Sequence, residues 1–82
     1  MRIATGDEVY ILAHRIPFVA WRGHRWNEGE RLQLLNRLQA QEQHNHVYTV
    51  RACFHTPMTG LLSIYDNAGR EYSAHHTDLV RK

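Results

Sequence analysis

An α+β or mostly-β domain with one inserted helix is the fold that three observations in the 82-residue sequence predict. Two stretches, 8–14 and 47–54, alternate apolar and polar residues with the two-residue period of a half-buried strand. Between them, leucines recur at helical spacing over 28–43. Asp66-Asn67-Ala68-Gly69 then separates two short strand-like runs, 61–66 and 70–75, as the turn of a hairpin.

Thr5-Gly6-Asp7 signals a turn into the first strand. There Val9, Ile11 and Ala13 share one face, and Tyr10, Leu12 and His14 the other. Pro17 lacks a backbone donor and biases Ile16 towards extended geometry, so strand pairing is expected to weaken. Residues 18–26, rich in aromatics and arginine, read as an irregular or edge-strand excursion. Asn27 is a helix N-cap, with Glu30 placed to complete a capping box. Glu28 and Glu30 put negative charge at the positive end of the helix dipole. Leu34, Leu35 and Leu38 form the buried stripe, with Leu32 on its flank and Gln33, Arg37 and Gln41 outward. His44-Asn45 ends the helix, because Asn tolerates a left-handed cap.

In the strand over 47–54, Tyr48, Val50, Ala52 and Phe54 share one face, and Val47, Thr49, Arg51 and Cys53 the other. Residues 55–60 form a loop, with Thr56 held extended by Pro57. After the hairpin, Thr77-Asp78-Leu79-Val80 makes a tight turn feeding a last apolar pair. No repeat, low-complexity tract or linker interrupts the chain, so residues 1–82 are read as one domain. At this length a strongly bent antiparallel sheet closing into a small barrel buries apolar faces and removes open edges together. A chain this short buries only about 60–65% of its unfolded surface, so at least one tryptophan is expected in the core.

Gly6-Asp7-Glu8-Val9-Tyr10-Ile11, Val47-Tyr48-Thr49-Val50 and the 65–72 hairpin ending in Asp78-Leu79-Val80 resemble SH3-like small barrels. Many such domains begin with a Gly-Asp-x-Val strand and close with a hairpin and a short Asp-Leu turn. The resemblance covers about half the chain and implies an SH3-like antiparallel barrel. It departs over 18–45, where such domains carry a loop and this chain carries a helix, so their usual ligand groove is not transferred.

The chain has no run of ~18 apolar residues and no signal-peptide core at its start, which predicts no membrane partner. Cys53 stands alone, so no internal disulfide forms, and a reducing, cytoplasmic setting is expected. A net charge of +2 permits an anionic partner without demanding one.

The segment 14–26 carries the densest chemistry. It holds Arg15, Arg22 and Arg25, His14 and His24, and Phe18, Trp21 and Trp26, with no acidic residue. Arginine forks bind phosphates and indole faces stack on unpaired bases, so the first expectation is a nucleic-acid-binding surface, with Arg51 and Arg70 extending it. The alternative is a protein-interaction module, an inhibitor or adaptor, anchored by Trp21 and Trp26, since Trp and Arg dominate interface hot spots. The structural reading is that Phe18, Trp21 and Trp26 plug the barrel while the arginines face water. His44-x-His46, His75-His76 and Cys53 match no zinc spacing, so no metal or cofactor is expected. Cys53, Asp66, Glu71 and Asp78 belong to no nucleophile elbow, phosphate loop or carboxylate pair, so no enzyme is expected. A leucine surface wider than the core needs would serve a homodimer. Together these features suit a small regulatory or accessory protein of the kind that phages and plasmids encode.

Overall fold

A computed structural model of the chain describes residues 3–23, 26–54 and 60–82, with the backbone alone over 52–54. Strands β1 (Glu8–Ile11), β2 (Tyr48–Phe54), β3 (Leu61–Tyr65), β4 (Glu71–His75) and β5 (Leu79–Arg81) form one antiparallel sheet in the order β4-β3-β2-β1-β5. Two helices, α1 (Ile16–Gly23) and α2 (Glu28–Gln43), lie between β1 and β2 in sequence. Single 3-10 turns, Ala13–Arg15 and His76–Asp78, lead into α1 and β5. The domain is α+β, as expected, but the sheet does not close into a barrel. Strands β4 and β5 are its two ends, and no pairing joins them among the described residues. The helices cover the apolar face of the sheet instead, which removes the need to fold the sheet onto itself.

The second helix is the other departure from expectation. Ile16–Gly23 is helical, where an irregular or edge-strand excursion is predicted over 18–26. Pro17 sits in the first turn, where backbone N–H groups have no intrahelical acceptor, so its missing donor costs nothing there. Ile16, Val19 and Ala20 then fall at helical spacing and are all buried. Helix α2 follows the sequence reading except at Gln41, expected on the outer side, which turns in instead because Asp66 and the Tyr48 hydroxyl offer it polar partners. The Asn27 side chain accepts from the Glu30 N–H at 3.0 Å, Leu34 and Leu38 are buried, and Asn45 takes a left-handed φ of 53° past the helix end.

The core is continuous from sheet to helices. Val9 and Ile11, Tyr48 and Val50, Leu62 and Ile64, Tyr72 and Ala74, and Leu79 meet Val19, Ala20, Leu34 and Leu38. Neither tryptophan joins it: Trp21 is 51% exposed and Trp26 86%, which overturns the expected core tryptophan. Tyr48 and Tyr72 supply the aromatic volume instead, edge to face with ring centroids 5.7 Å apart. In β2 the pairing register shifts between Val50 and Ala52, so the alternation expected to run unbroken over 47–54 stops at Val50. The readings placed on the Cys53 and Phe54 side chains and on the loop 55–59 lie outside the described residues.

The hairpin turn forms as predicted and does more than turn the chain. Asp66 Oδ1 accepts from the Ala68 and Arg70 N–H groups at 3.0 and 2.9 Å, and Gly69 takes φ +83°. Asp66 Oδ2 accepts from the Tyr72 hydroxyl at 2.8 Å and from Gln41 Nε2 at 3.0 Å, while the Tyr48 hydroxyl donates to Gln41 Oε1 at 2.5 Å. One buried carboxylate thus joins the hairpin to α2 and gives both core tyrosines a route to a polar partner. Burial alone would raise the Asp66 carboxyl, but the donors from Arg70, Tyr72, Gln41 and Ala68 outweigh it and hold it below the usual range.

Leu38 is fully buried whereas Leu32 is 51% exposed. Leu38→Ala is therefore expected to lower unfolding free energy by about 2–5 kcal/mol in urea titration, and Leu32→Ala by less than about 0.5 kcal/mol.

Candidate interaction face

Because Ile16, Val19 and Ala20 turn inward, the intervening positions of α1 turn out. Phe18 is 52% exposed, and Trp21 lies one turn further along the same side. Trp26 follows in the turn ahead of α2. Gly23 brings the end of α1 close to α2: a Cβ there would stand 3.0 Å from Leu34 Cδ2, so a larger residue would require the Leu34 side chain to shift.

The arginines of this segment lead inward to an acid. Asp78 is completely buried, and its carboxylate receives Arg15 Nε on Oδ1 at 2.8 Å and Arg22 Nη1 on Oδ2 at 3.0 Å. Oδ2 also accepts the His75 backbone N–H at 2.9 Å, and the Asp78 carbonyl accepts the Leu12 N–H at 2.8 Å. Burial by itself would raise the carboxyl, but Arg15, the His75 N–H and Arg22 overcome it, and Asp78 stays below its ordinary range. Arg15 carries a second contact, with its guanidinium carbon 4.4 Å from the centre of the Phe18 ring. The exposed aromatic is therefore braced from beneath by a residue whose other end is fixed.

The same clamp seals an edge of the sheet. The bonds from Asp66 N to Arg70 O and from His76 N to Gly60 O frame the β3–β4 ladder, so residues 71, 73 and 75 direct their backbone groups away from it. Arg22 Nη1 donates to the Ser73 carbonyl at 3.3 Å, and Asp78 takes the His75 N–H. Two of the outward groups on this edge thus have side-chain partners, which discourages strand pairing with another chain.

Of the expected site residues, Trp21 and Arg22 lie on α1 and Arg15 in the 3-10 turn just ahead of it. Trp26 stands nearby in sequence and is the most exposed large apolar residue among the described residues. His24 and Arg25 lie outside the described residues. Arg51 and Arg70 belong elsewhere. Arg51 stacks 4.8 Å over Tyr65, which alternates with the core-facing Leu62 and Ile64 and so sits on the opposite face of the sheet. Arg70 lies at the hairpin, 4.0 Å from Asp66. The residue that sequence reasoning missed is Asp78, assigned there to a turn. The only signal for it in the sequence was the run of three arginines without an acid in 14–26, which leaves a carboxylate from elsewhere in the chain one partner open to them besides water.

His75 is the titratable element of the clamp. Its Nδ1 accepts the Thr77 N–H at 3.3 Å and lies 2.8 Å from Thr77 Oγ1, capping the 3-10 turn that carries Asp78. Burial, then the adjacent His76, push the imidazole below its ordinary value against the opposing pull of Asp78. No group of three or more His, Cys, Asp or Glu side chains among the described residues is placed to hold a metal ion. No helix among them is long and apolar enough to cross a membrane. No family model matches the chain, and neither does any curated protein or solved structure.

Asp78→Asn is expected to cost about 2–4 kcal/mol in urea titration, below the full figure for a wholly buried pair because both guanidiniums keep some solvent access. The His75 value is depressed on folding, so its contribution is complete above the ordinary imidazole value and declines as pH falls through and below it. Thermal stability is expected to fall between about pH 7 and pH 5. His75→Asn, which keeps a capping acceptor but cannot titrate, is expected to flatten that decline.

Proposed function

We propose that this chain is a small non-catalytic binding protein on an SH3-like framework, and that it docks a partner protein through the aromatic face of α1. Support for the framework comes from the Gly6-Asp7 turn feeding β1, the β3–β4 hairpin and the 3-10 turn that delivers Asp78-Leu79 into β5. Support for the docking face rests on one observation above all. Phe18 and Trp21 are about half exposed on α1, with Trp26 more so, while the arginines beneath are held by Asp78. Large aromatics held in place before binding lose little freedom when a partner covers them, and they are the side chains that carry most interface energy.

Nucleic acid is the second reading. What favours it is that, among the described residues, the one carboxylate paired to Arg15 and Arg22 is buried, so two partly exposed guanidiniums and one hidden acid leave the face with net positive charge. The protein reading ranks first because both arginine forks already have donors engaged on Asp78, which leaves fewer for phosphate oxygens.

With the full chain as bait, one defined cellular protein is expected to be retained, and Trp21→Ala is expected to reduce that retention at least about tenfold without loss of fold. In parallel, short single- and double-stranded DNA and RNA are titrated at low and moderate salt, with anisotropy and tryptophan fluorescence as readouts. The protein reading predicts no tight, salt-steep binding. Affinity that falls steeply with salt and quenches tryptophan would put nucleic acid first.

A further inference from the structure

A second concave site lies at the opposite end of the helical layer, where the C-terminal turn of α2 meets β1 and β2. Its volume is about 150 Å³, and its walls include Tyr10, His46 and Tyr48, with Ile11 and Leu38 at the base and Glu42 on the helix side. We propose that this cleft binds a small organic ammonium group.

Three features carry the proposal. The first is the shape of the aromatic wall. The His46 and Tyr48 rings meet as a corner, with centroids 4.7 Å apart and planes inclined by 66°, and Tyr10 adds a third ring. The Tyr48 ring is fixed in place by its hydroxyl bond to Gln41, and burial raises its phenol, so it stays neutral. The faces of tyrosine rings attract an organic ammonium, and a quaternary one most readily because its charge is spread over a weakly hydrated apolar shell. The second feature is uncompensated negative charge. Glu42 forms no ion pair among the described residues, and the last turn of α2, where the helix dipole is negative, carries no basic side chain. The third is size. Sites for nucleosides and drug-sized ligands run to ~300–1,000 Å³, so this cleft holds a head group rather than a whole cofactor. His46 Nε2, buried without a hydrogen-bond partner among the described residues, adds an unsatisfied polar atom beside the cleft.

The site uses none of the α1 residues, so it stands or falls separately from the docking face. The ammonium comes either from a free small molecule or from the end of a lysine side chain, and two probes separate these sources. Isotope-labelled full chain is titrated with choline, with Nα-acetyl-lysine methylamide, and with dimethylbutanol, the uncharged carbon isostere of choline, while amide signals are followed by NMR. Saturable shifts confined to the surroundings of Tyr10, Glu42, His46 and Tyr48 are expected with the cations and not with the isostere. Tighter choline binding identifies a free quaternary amine as the ligand class, and tighter lysine binding a side chain of a partner. Glu42→Gln and, separately, Tyr10→Leu are each expected to weaken the preferred cation at least about threefold. Equal response to the isostere, shifts that spread over the surface or never saturate, or unchanged affinity in both variants would overturn the proposal.

Discussion

Asp78 keeps its charge in a place where none of its side chain touches solvent, and the layout of one side of the molecule follows from that constraint. A buried carboxylate is tolerated only if its lone pairs meet donors strong enough to replace water. Arg15 and Arg22 meet that demand from the two ends of α1, and the His75 N–H meets it from β4. The helix is thereby held across the end of the sheet at a fixed angle. Phe18 and Trp21 are presented outward because Ile16, Val19 and Ala20 take the core face of the same helix. Helix α1 is apolar on its core face, through Ile16, Val19 and Ala20, and carries exposed aromatics as well, a departure from the usual amphipathic pattern.

The absence of barrel closure has the same physical origin. A small β domain must deal with open edges and with the uncovered face of its sheet. Here α1 and α2 provide the cover, and the edge at β4 is sealed by Arg22 and Asp78 rather than by β5. A second buried carboxylate, Asp66, performs the matching task at the far side, joining the hairpin to α2 through Gln41 and the tyrosine hydroxyls. Each helix is therefore fixed to the sheet by apolar packing plus one satisfied acid. Packing supplies most of the stability; the acids set position, since a hydrogen-bonded carboxylate has few acceptable geometries.

Much of this was legible in the residues because it is local. The cap at Asn27, the leucines of α2, the left-handed Asn45 and the Asp66–Gly69 turn each follow from chemistry within a few positions of the chain. What was not legible depends on distance. Arg15 and Arg22 stand 63 and 56 residues from the acid that pairs with them, and no periodicity links such partners. Pro17 was ambiguous for a different reason: proline interrupts a strand but suits the first turn of a helix, and only the burial of Ile16, Val19 and Ala20 decides between them. The aromatic segment was recognisable as unusual. That both tryptophans stay outside follows from Tyr48 and Tyr72, whose polar tips have Gln41 and Asp66 within reach, filling the core.

The position of α1 therefore depends on Asp78. Native-state hydrogen exchange of the α1 amides, compared between the wild-type chain and Asp78→Asn, tests this most directly. If the clamp positions the helix, protection at residues 19–23 falls in the variant by more than an order of magnitude while the β2–β3 amides lose no more than the global stability change requires. Equal loss at every site, or undiminished protection in α1, would contradict it, and the exposed aromatic face would then owe its geometry to packing alone.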